Sequence, residues 1–289
     1  MSSNILVTGA TGTIGRIIIK KLKEQKVDFL AGVMNSAQVL KMKDHGIDAV
    51  EINFADKKLL VESMKNTSAV FAIVPQVEFM LEWARNLVAA AQEAGVQYVV
   101  RSSVIGADVH STYKSMMTHG LIDKSIQESG MRYTILRPNT FMQNFSIYHS
   151  GSIRDEGEFR LPQGYGRTSF VDARDVASVA AQILIEPEKR KYSEYGVTGD
   201  SALTNNEVAD ILSAVTGRRI RYVPIEDHVA VKKMKQMGMS EWTIEMMMSV
   251  HQYTKDGRAA TITNAVKEIT GIYPTTMEQF AHENAHIWK

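Results

Sequence analysis

The residues best placed to do chemistry stand near the N-terminus, in Thr8-Gly9-Ala10-Thr11-Gly12-Thr13-Ile14-Gly15. The three glycines recur at every third position. An apolar run, Ile5-Leu6-Val7, precedes them, and Ile17-Ile18-Ile19 and Leu22 follow. Strand, tight turn and helix N-terminus in that order make a site for a diphosphate. The N–H groups of a first helical turn have no intrahelical acceptor and point at negative charge. Gly9 is expected to let the chain turn, Gly12 to let the backbone approach phosphate, and Gly15 to let the helix lie against the strand. The spacing is Gly-x-x-Gly-x-x-Gly, not Gly-x-Gly-x-x-Gly, so the strand–turn–helix context carries the reading. Gly9, Thr11, Gly12, Thr13 and Ile14 are the expected dinucleotide contacts.

The elements that must hold this turn are legible as alternating apolar runs. Phe29–Val33, Ala49–Ile52, Ala69–Ile73, Tyr98–Val100 and Tyr133–Leu136 read as further strands. Between them lie helical stretches over 36–43, 57–64, 79–95 and 119–128. This alternation predicts a parallel, doubly wound α/β sheet of Rossmann type. Past about Ser150 the rhythm changes. Thr204-Asn205-Asn206-Glu207 and Thr275-Thr276-Met277-Glu278 read as capping boxes, and Arg221–Pro224 as a short edge strand. The expected division is a cofactor-binding domain over 1–150 and a smaller mixed α/β substrate domain over 151–289. The boundary is soft, because chains of this kind cross back into the sheet.

Composition narrows the partners. In 289 residues the net charge is +1 and charged residues make up 22%, with no basic block, which argues against nucleic acid. There is no cysteine, so neither a disulfide framework nor a thiolate centre is expected. No apolar run reaches membrane-spanning length and no signal-peptide pattern opens the chain, so a cytoplasmic protein without a membrane partner is expected. His282-Glu283-Asn284-Ala285-His286 matches a zinc-binding helix pattern. It lacks a third ligand in the three residues that follow, and no metal is expected.

Three motifs together carry a family resemblance: Thr8–Gly15, Arg137-Pro138-Asn139-Thr140-Phe141-Met142-Gln143-Asn144, and Ser169-Phe170-Val171-Asp172-Ala173-Arg174-Asp175-Val176-Ala177. Tyr195–Gly199 and Glu207-Val208-Ala209 extend it over nearly the whole chain. The sequence resembles the NmrA-like atypical short-chain dehydrogenase/reductases, especially the bacterial NAD(P)H:quinone oxidoreductase type 2 and triphenylmethane reductase group. The resemblance implies a nicotinamide cofactor, NADP or NAD, in the first domain. It also implies a small aromatic substrate between the two domains, reduced by hydride transfer.

Within that frame, His119 is the implied catalytic residue, since a histidine near neutral pH can donate a proton or bond a quinone oxygen. The alternative for His119 is a packing or capping role. Tyr113 is the candidate for the tyrosine of a Tyr-x-x-x-Lys pair, but Met117 stands where the lysine belongs. That disfavours alcohol oxidation and sugar epimerisation. At the end of the second strand, Met34-Asn35-Ser36 supplies neither the acidic residue of an NAD site nor the arginine of an NADP site, so the preference stays open. Asn53 and Phe54, Val74 and Pro75, Ser102 and Ser103, and Asn139 and Phe141 follow successive strands and complete the expected cofactor contacts. Tyr113, Met142 and Trp242 are the expected substrate contacts. Methionines 234, 237, 239, 246, 247 and 248 read either as helix core or as a pliable lid. Two functions follow: a reductase of quinones, dyes or similar flat acceptors, or a non-catalytic NAD(P) redox sensor of NmrA type that acts through a protein partner. A homodimer is compatible with either.

Overall fold

The computed structural model describes residues 4–289. The first half is a run of strands and helices: β1 (Asn4–Val7), α1 (Thr13–Glu24), β2 (Phe29–Val33), α2 (Ser36–Asp44), β3 (Ala49–Glu51), α3 (Lys57–Ser63), β4 (Thr67–Ala72), α4 (Met80–Glu93), β5 (Tyr98–Ser102), α5 (Lys114–Gln127) and β6 (Arg132–Pro138). The second half comprises α6 (Gln143–Ile147), α7 (Ser150–Glu156), β7 (Glu158–Leu161), β8 (Arg167–Thr168), α8 (Ala173–Ile185), β9 (Ser193–Val197), β10 (Leu203–Thr204), α9 (Asn205–Thr216), β11 (Arg221–Pro224), α10 (Asp227–Gln236), α11 (Glu241–Lys255), α12 (Ala265–Thr270) and α13 (Met277–Asn284).

Seven strands form one parallel sheet in the order β3-β2-β1-β4-β5-β6-β9. This is a Rossmann order, and the direction of winding switches between β1 and β4. Side chains alternate across the sheet. Ile5, Val7, Phe71 and Val100 face a core shared with α1, α2, α8 and α12, while Leu6, Val70 and Val99 face α3, α4 and α5. Both faces are therefore covered, as a parallel sheet requires.

The chain returns to this sheet after residue 150. β9 is its seventh strand, α8 packs against α1, and Ala265, Val266 and Ile269 of α12 lie in the same core. A straight cut at 150 leaves that part of the core on the wrong side. What remains is a third apolar cluster, with Phe145, Phe159, Leu212, Phe280 and Trp288 buried together. Two short pairs belong to it: β7 with β11, parallel, and β8 with β10, antiparallel. The capping box at Thr204–Glu207 forms. The second lies one residue later than the sequence suggests, from Thr276 to Gln279, because the Thr275 backbone N–H and hydroxyl both bond the Asp175 carboxylate. Among the described residues no helix is long and apolar enough to cross a membrane.

The glycine turn packs backbone directly against backbone. Gly9 has φ +66°, a left-handed conformation, and a Cβ on Gly15 would lie 2.2 Å from the Gly9 carbonyl oxygen. Thr8 pins the turn from below. Its Oγ1 accepts the Ile73 N–H at 2.8 Å and donates to a β4-end carbonyl, with those of Phe71 and Ile73 both at 3.0 Å. Overpacking against rigid backbone destabilises, so Gly15→Ala is expected to lower unfolding free energy by about 1–3 kcal/mol. Gly151→Ala, in α7 with open space around the new methyl, is expected to be neutral or stabilising. Urea unfolding of the two variants checks the contrast.

Candidate functional site

The glycine turn opens at the switch point of the sheet. Thr11, Gly12 and Thr13 are exposed there. Gly12 is the N-cap of α1 and makes no side-chain cap hydrogen bond, and the first turn carries no acidic residue. Arg16 is the first residue whose N–H reaches an intrahelical acceptor, the Gly12 carbonyl, so the N–H groups of Thr13, Ile14 and Gly15 remain available to an anion. An uncapped, unshielded N-terminus on exposed backbone fits a diphosphate. A Cβ on Gly12 would lie 3.2 Å from the Gly9 carbonyl oxygen, so Gly12 also serves the turn itself.

Around the strand ends, several expected contacts have other work. At the end of β2, Met34 is 65% exposed, while Asn35 caps α2 by accepting the Gln38 N–H. Gln38 returns the bond by accepting the Met34 N–H. Asn53 accepts the Ala55 N–H and so shapes its own loop, and Phe54 is buried and stacks on Trp83. Val74 is core, with Pro75 half-buried at the surface. Asn139 is fully engaged: it donates to Ser169 Oγ and the Ala259 carbonyl and accepts the Thr140 N–H. Phe141 bridges to Val171 and is half-buried. Met142 is 1% exposed inside the third cluster and does not face the strand ends. The stretch 169–177, one of the three motifs that carry the family resemblance, is scaffold in the same sense. Asp172 caps α8, binds the Gln143 amide and pairs with Arg174.

Tyr113 and α11 form a clasp. Helix α5 begins at Lys114, five residues before the start expected from sequence, and Tyr113 is its N-cap. The Tyr113 hydroxyl donates to Asp256 at 2.6 Å, its ring packs edge-on to Tyr253, and the Arg258 guanidinium lies over it. The bond to Asp256 pushes the phenol up from its ordinary value, the reverse of what a tyrosinate needs. Lys114 pairs with Glu245, and the Ser115 N–H donates to Ser249. Met117, at the vacant lysine position, is partly exposed. The methionines divide: Met234, Met239 and Met248 fill a small α10–α11 core, Met246 is buried, and Met237 and Met247 face out. Trp242 joins this hairpin to the α3–α5 side of the sheet.

His119 stands in the second turn of α5, not at its start, and is 6% exposed. Its Nδ1 lies 3.3 Å from an Nη of Arg101, a β5 residue that sequence reading passed over. Arg101 also bonds the Ser102 carbonyl. Burial first, and the Arg101 charge second, lower the His119 pKa to about 3. His119 is therefore neutral at neutral pH and holds no imidazolium proton to give. One turn on, Asp123 accepts Ser103 Oγ at 2.8 Å and pairs with Arg137 at 3.2 Å. Burial pushes its carboxyl up despite those cations. Period two puts Arg101 and Ser103 on the α5 side of the sheet and Ser102 on the other. A lone Arg in the apolar run Tyr98-Val99-Val100-Arg101 was the signal available in the sequence.

The zinc-like pattern at the C-terminus does not survive as one helix face. Helix α13 ends at Asn284, His286 lies in the 3₁₀ turn that follows, and Glu283 pairs with Arg174 at 2.6 Å.

His149 and His251 are also neutralised by burial, each to about 4. A histidine whose folded pKa lies below its unfolded value contributes stability that is present above about pH 6.5 and lost as pH falls. Each of the three is expected to add a slope of about 1.4 kcal/mol per pH unit below pH 6. Urea unfolding at pH 7 and pH 5 should show that loss, and His251→Gln should reduce it.

The model of the NmrA-like family matches residues 1–281. The NAD(P)H azoreductase of Xenophilus azovorans is 35% identical over 97% of this chain and 98% of that protein. Quinone oxidoreductase 2 of Escherichia coli is 24% identical over 94% of this chain and 95% of its own length. The crystal structure of the Escherichia coli NADPH-dependent quinone oxidoreductase complexed with NADPH shares the fold, with a TM-score of 0.87 over 96% of this chain and 99% of that one, at 23% identity. A family match across nearly the whole sequence and a relative above 30% identity along its full length lead to one conclusion: this chain belongs to the NmrA-like family.

Proposed function

We propose that this chain is an NAD(P)H-dependent reductase that transfers hydride to quinones, azo or triphenylmethane dyes, or similar flat electron-poor acceptors. The observation that carries the reading is the 35% identity, end to end, with a protein named NAD(P)H azoreductase. The uncapped N-terminus of α1 at the switch point of the sheet supports it.

On this reading the bound cofactor supplies the hydride, and the protein's work is to bind and orient. The N–H groups of Thr13, Ile14 and Gly15 hold the diphosphate. Met34 and Asn35 border the adenosine ribose and offer neither a carboxylate nor a guanidinium, so both NADH and NADPH are accepted. Ser102 and Phe141 edge the nicotinamide pocket. Trp242 and the outward methionines of the α10–α11 hairpin cover a flat acceptor. His119 presents an N–H to the acceptor atom that gains electron density, and the proton that completes the product comes from water.

Fluorescence titration with NADPH and NADH, followed in the same cuvette by a quinone and then a dye, tests the reading. Binding of both cofactors and oxidation on adding acceptor are expected. Binding without oxidation across a broad acceptor panel would replace the reductase with a redox sensor. Met34→Asp is expected to move the NADH-to-NADPH ratio of kcat/KM toward NADH by about 10-fold or more, through repulsion of the 2′-phosphate.

A further inference from the structure

Arg101 poses a problem of its own. It is 1% exposed, and among the described residues it forms no ion pair within 4.0 Å. Its Nε is buried without a hydrogen-bond partner, and so is Oδ1 of Asp123, the carboxylate whose charge it feels. A buried guanidinium without an ion pair is held at a cost to stability. One contact singles it out: its Nη faces Nδ1 of His119 at 3.3 Å.

An arginine can only donate, so the nitrogen it faces must accept. With Nδ1 accepting, the single proton of a neutral imidazole sits on Nε2. The geometry points to Arg101 as a positioning residue that fixes His119 as the neutral Nε2–H tautomer and polarises that N–H toward an acceptor in the cleft. The cation behind the ring withdraws electron density through Nδ1 and makes the Nε2–H a stronger donor in a low-dielectric setting. This inference rests on the proposed role of His119.

The groups around the ring leave the task to Arg101. Its own helix offers Asp123, whose Oδ2 is held by Ser103 and Arg137. From α11, Met246 and Ser249 meet this part of α5 through Thr118 and Ser115, and neither is charged. Glu245 pairs with Lys114. The charges of α4, namely Glu82, Arg85 and Glu93, face solvent.

Long-range ¹H–¹⁵N spectra of the imidazoles test it, with His119→Gln to assign the resonance. The parent is expected to show His119 as the Nε2–H tautomer throughout pH 5–8. Arg101→Met is expected to release it to a mixture of tautomers, and Arg101→Lys, which keeps a donor and a charge, to restore the parent pattern. In turnover, Arg101→Met should lower kcat by about 10-fold or more with the KM for NADPH unchanged, and Arg101→Lys should recover part of it. An Nδ1–H tautomer in the parent would overturn the inference, as would an unchanged His119 spectrum in a folded Arg101→Met protein. The parent spectrum needs neither a variant nor turnover. A correct tautomer in a protein that never oxidises NAD(P)H would sink the reductase and leave the positioning role standing.

Discussion

Everything in this fold depends on how closely one backbone approaches another. Gly15 lies so near the Gly9 carbonyl that no side chain fits between them, and Thr8 ties the same turn to the end of β4. That contact sets α1 flat against the sheet. It also lets Ile14, Ile18 and Ile19 reach the core shared with α8, and aims the free N–H groups of the first turn at the switch point. On the proposed function, stability and binding share one constraint: the helix N-terminus reaches the switch point because α1 packs without a Cβ in the way, and α1 is held because the returning segments α8 and α12 cover it.

The other side of the sheet carries a buried polar layer where an apolar one would be expected. Arg101, Ser103, His119, Asp123 and Arg137 run from β5 through α5 to β6. Such a layer is held at a cost, because two of its atoms have no partner. It sits beneath the clasp that joins α5 to α11 through Tyr113–Asp256, Lys114–Glu245 and Ser115–Ser249. The Tyr113 hydroxyl is committed to that clasp, and the neutral His119 lies in the polar layer below it.

The glycine turn and all six strands of the first half were legible because parallel strands buried on both faces are continuous apolar runs, and because glycines there answer a steric demand. A return to the sheet was expected, but not that Ser193-Glu194-Tyr195-Gly196-Val197 makes it, since this short run mixes polar and apolar residues and lies at the sheet edge with Glu194 facing Arg137. The start of α5 was missed because Tyr113 to Thr118 lacks an apolar period, and tertiary contacts with α11 supply the helix instead. Candidate contacts chosen by position do lie at strand ends, but position says nothing of what already occupies their polar atoms. Asn139 and Ser103 stand at the ends of β6 and β5, yet their polar atoms are taken up by the scaffold. Arg101 was hidden by its setting, because a single charge in a strand reads as a strand end.

The measurement that bears most directly on the central claim is the fate of the hydride. The protein would be given NADPH carrying deuterium at one face of C4, and then the other, with a triphenylmethane dye cation as acceptor. The account predicts that one of the two labels arrives on the central carbon of the colourless product, in stoichiometric yield and without added flavin. Loss of label to solvent, transfer from both faces alike, or tight cofactor binding with no bleaching of the dye would contradict it.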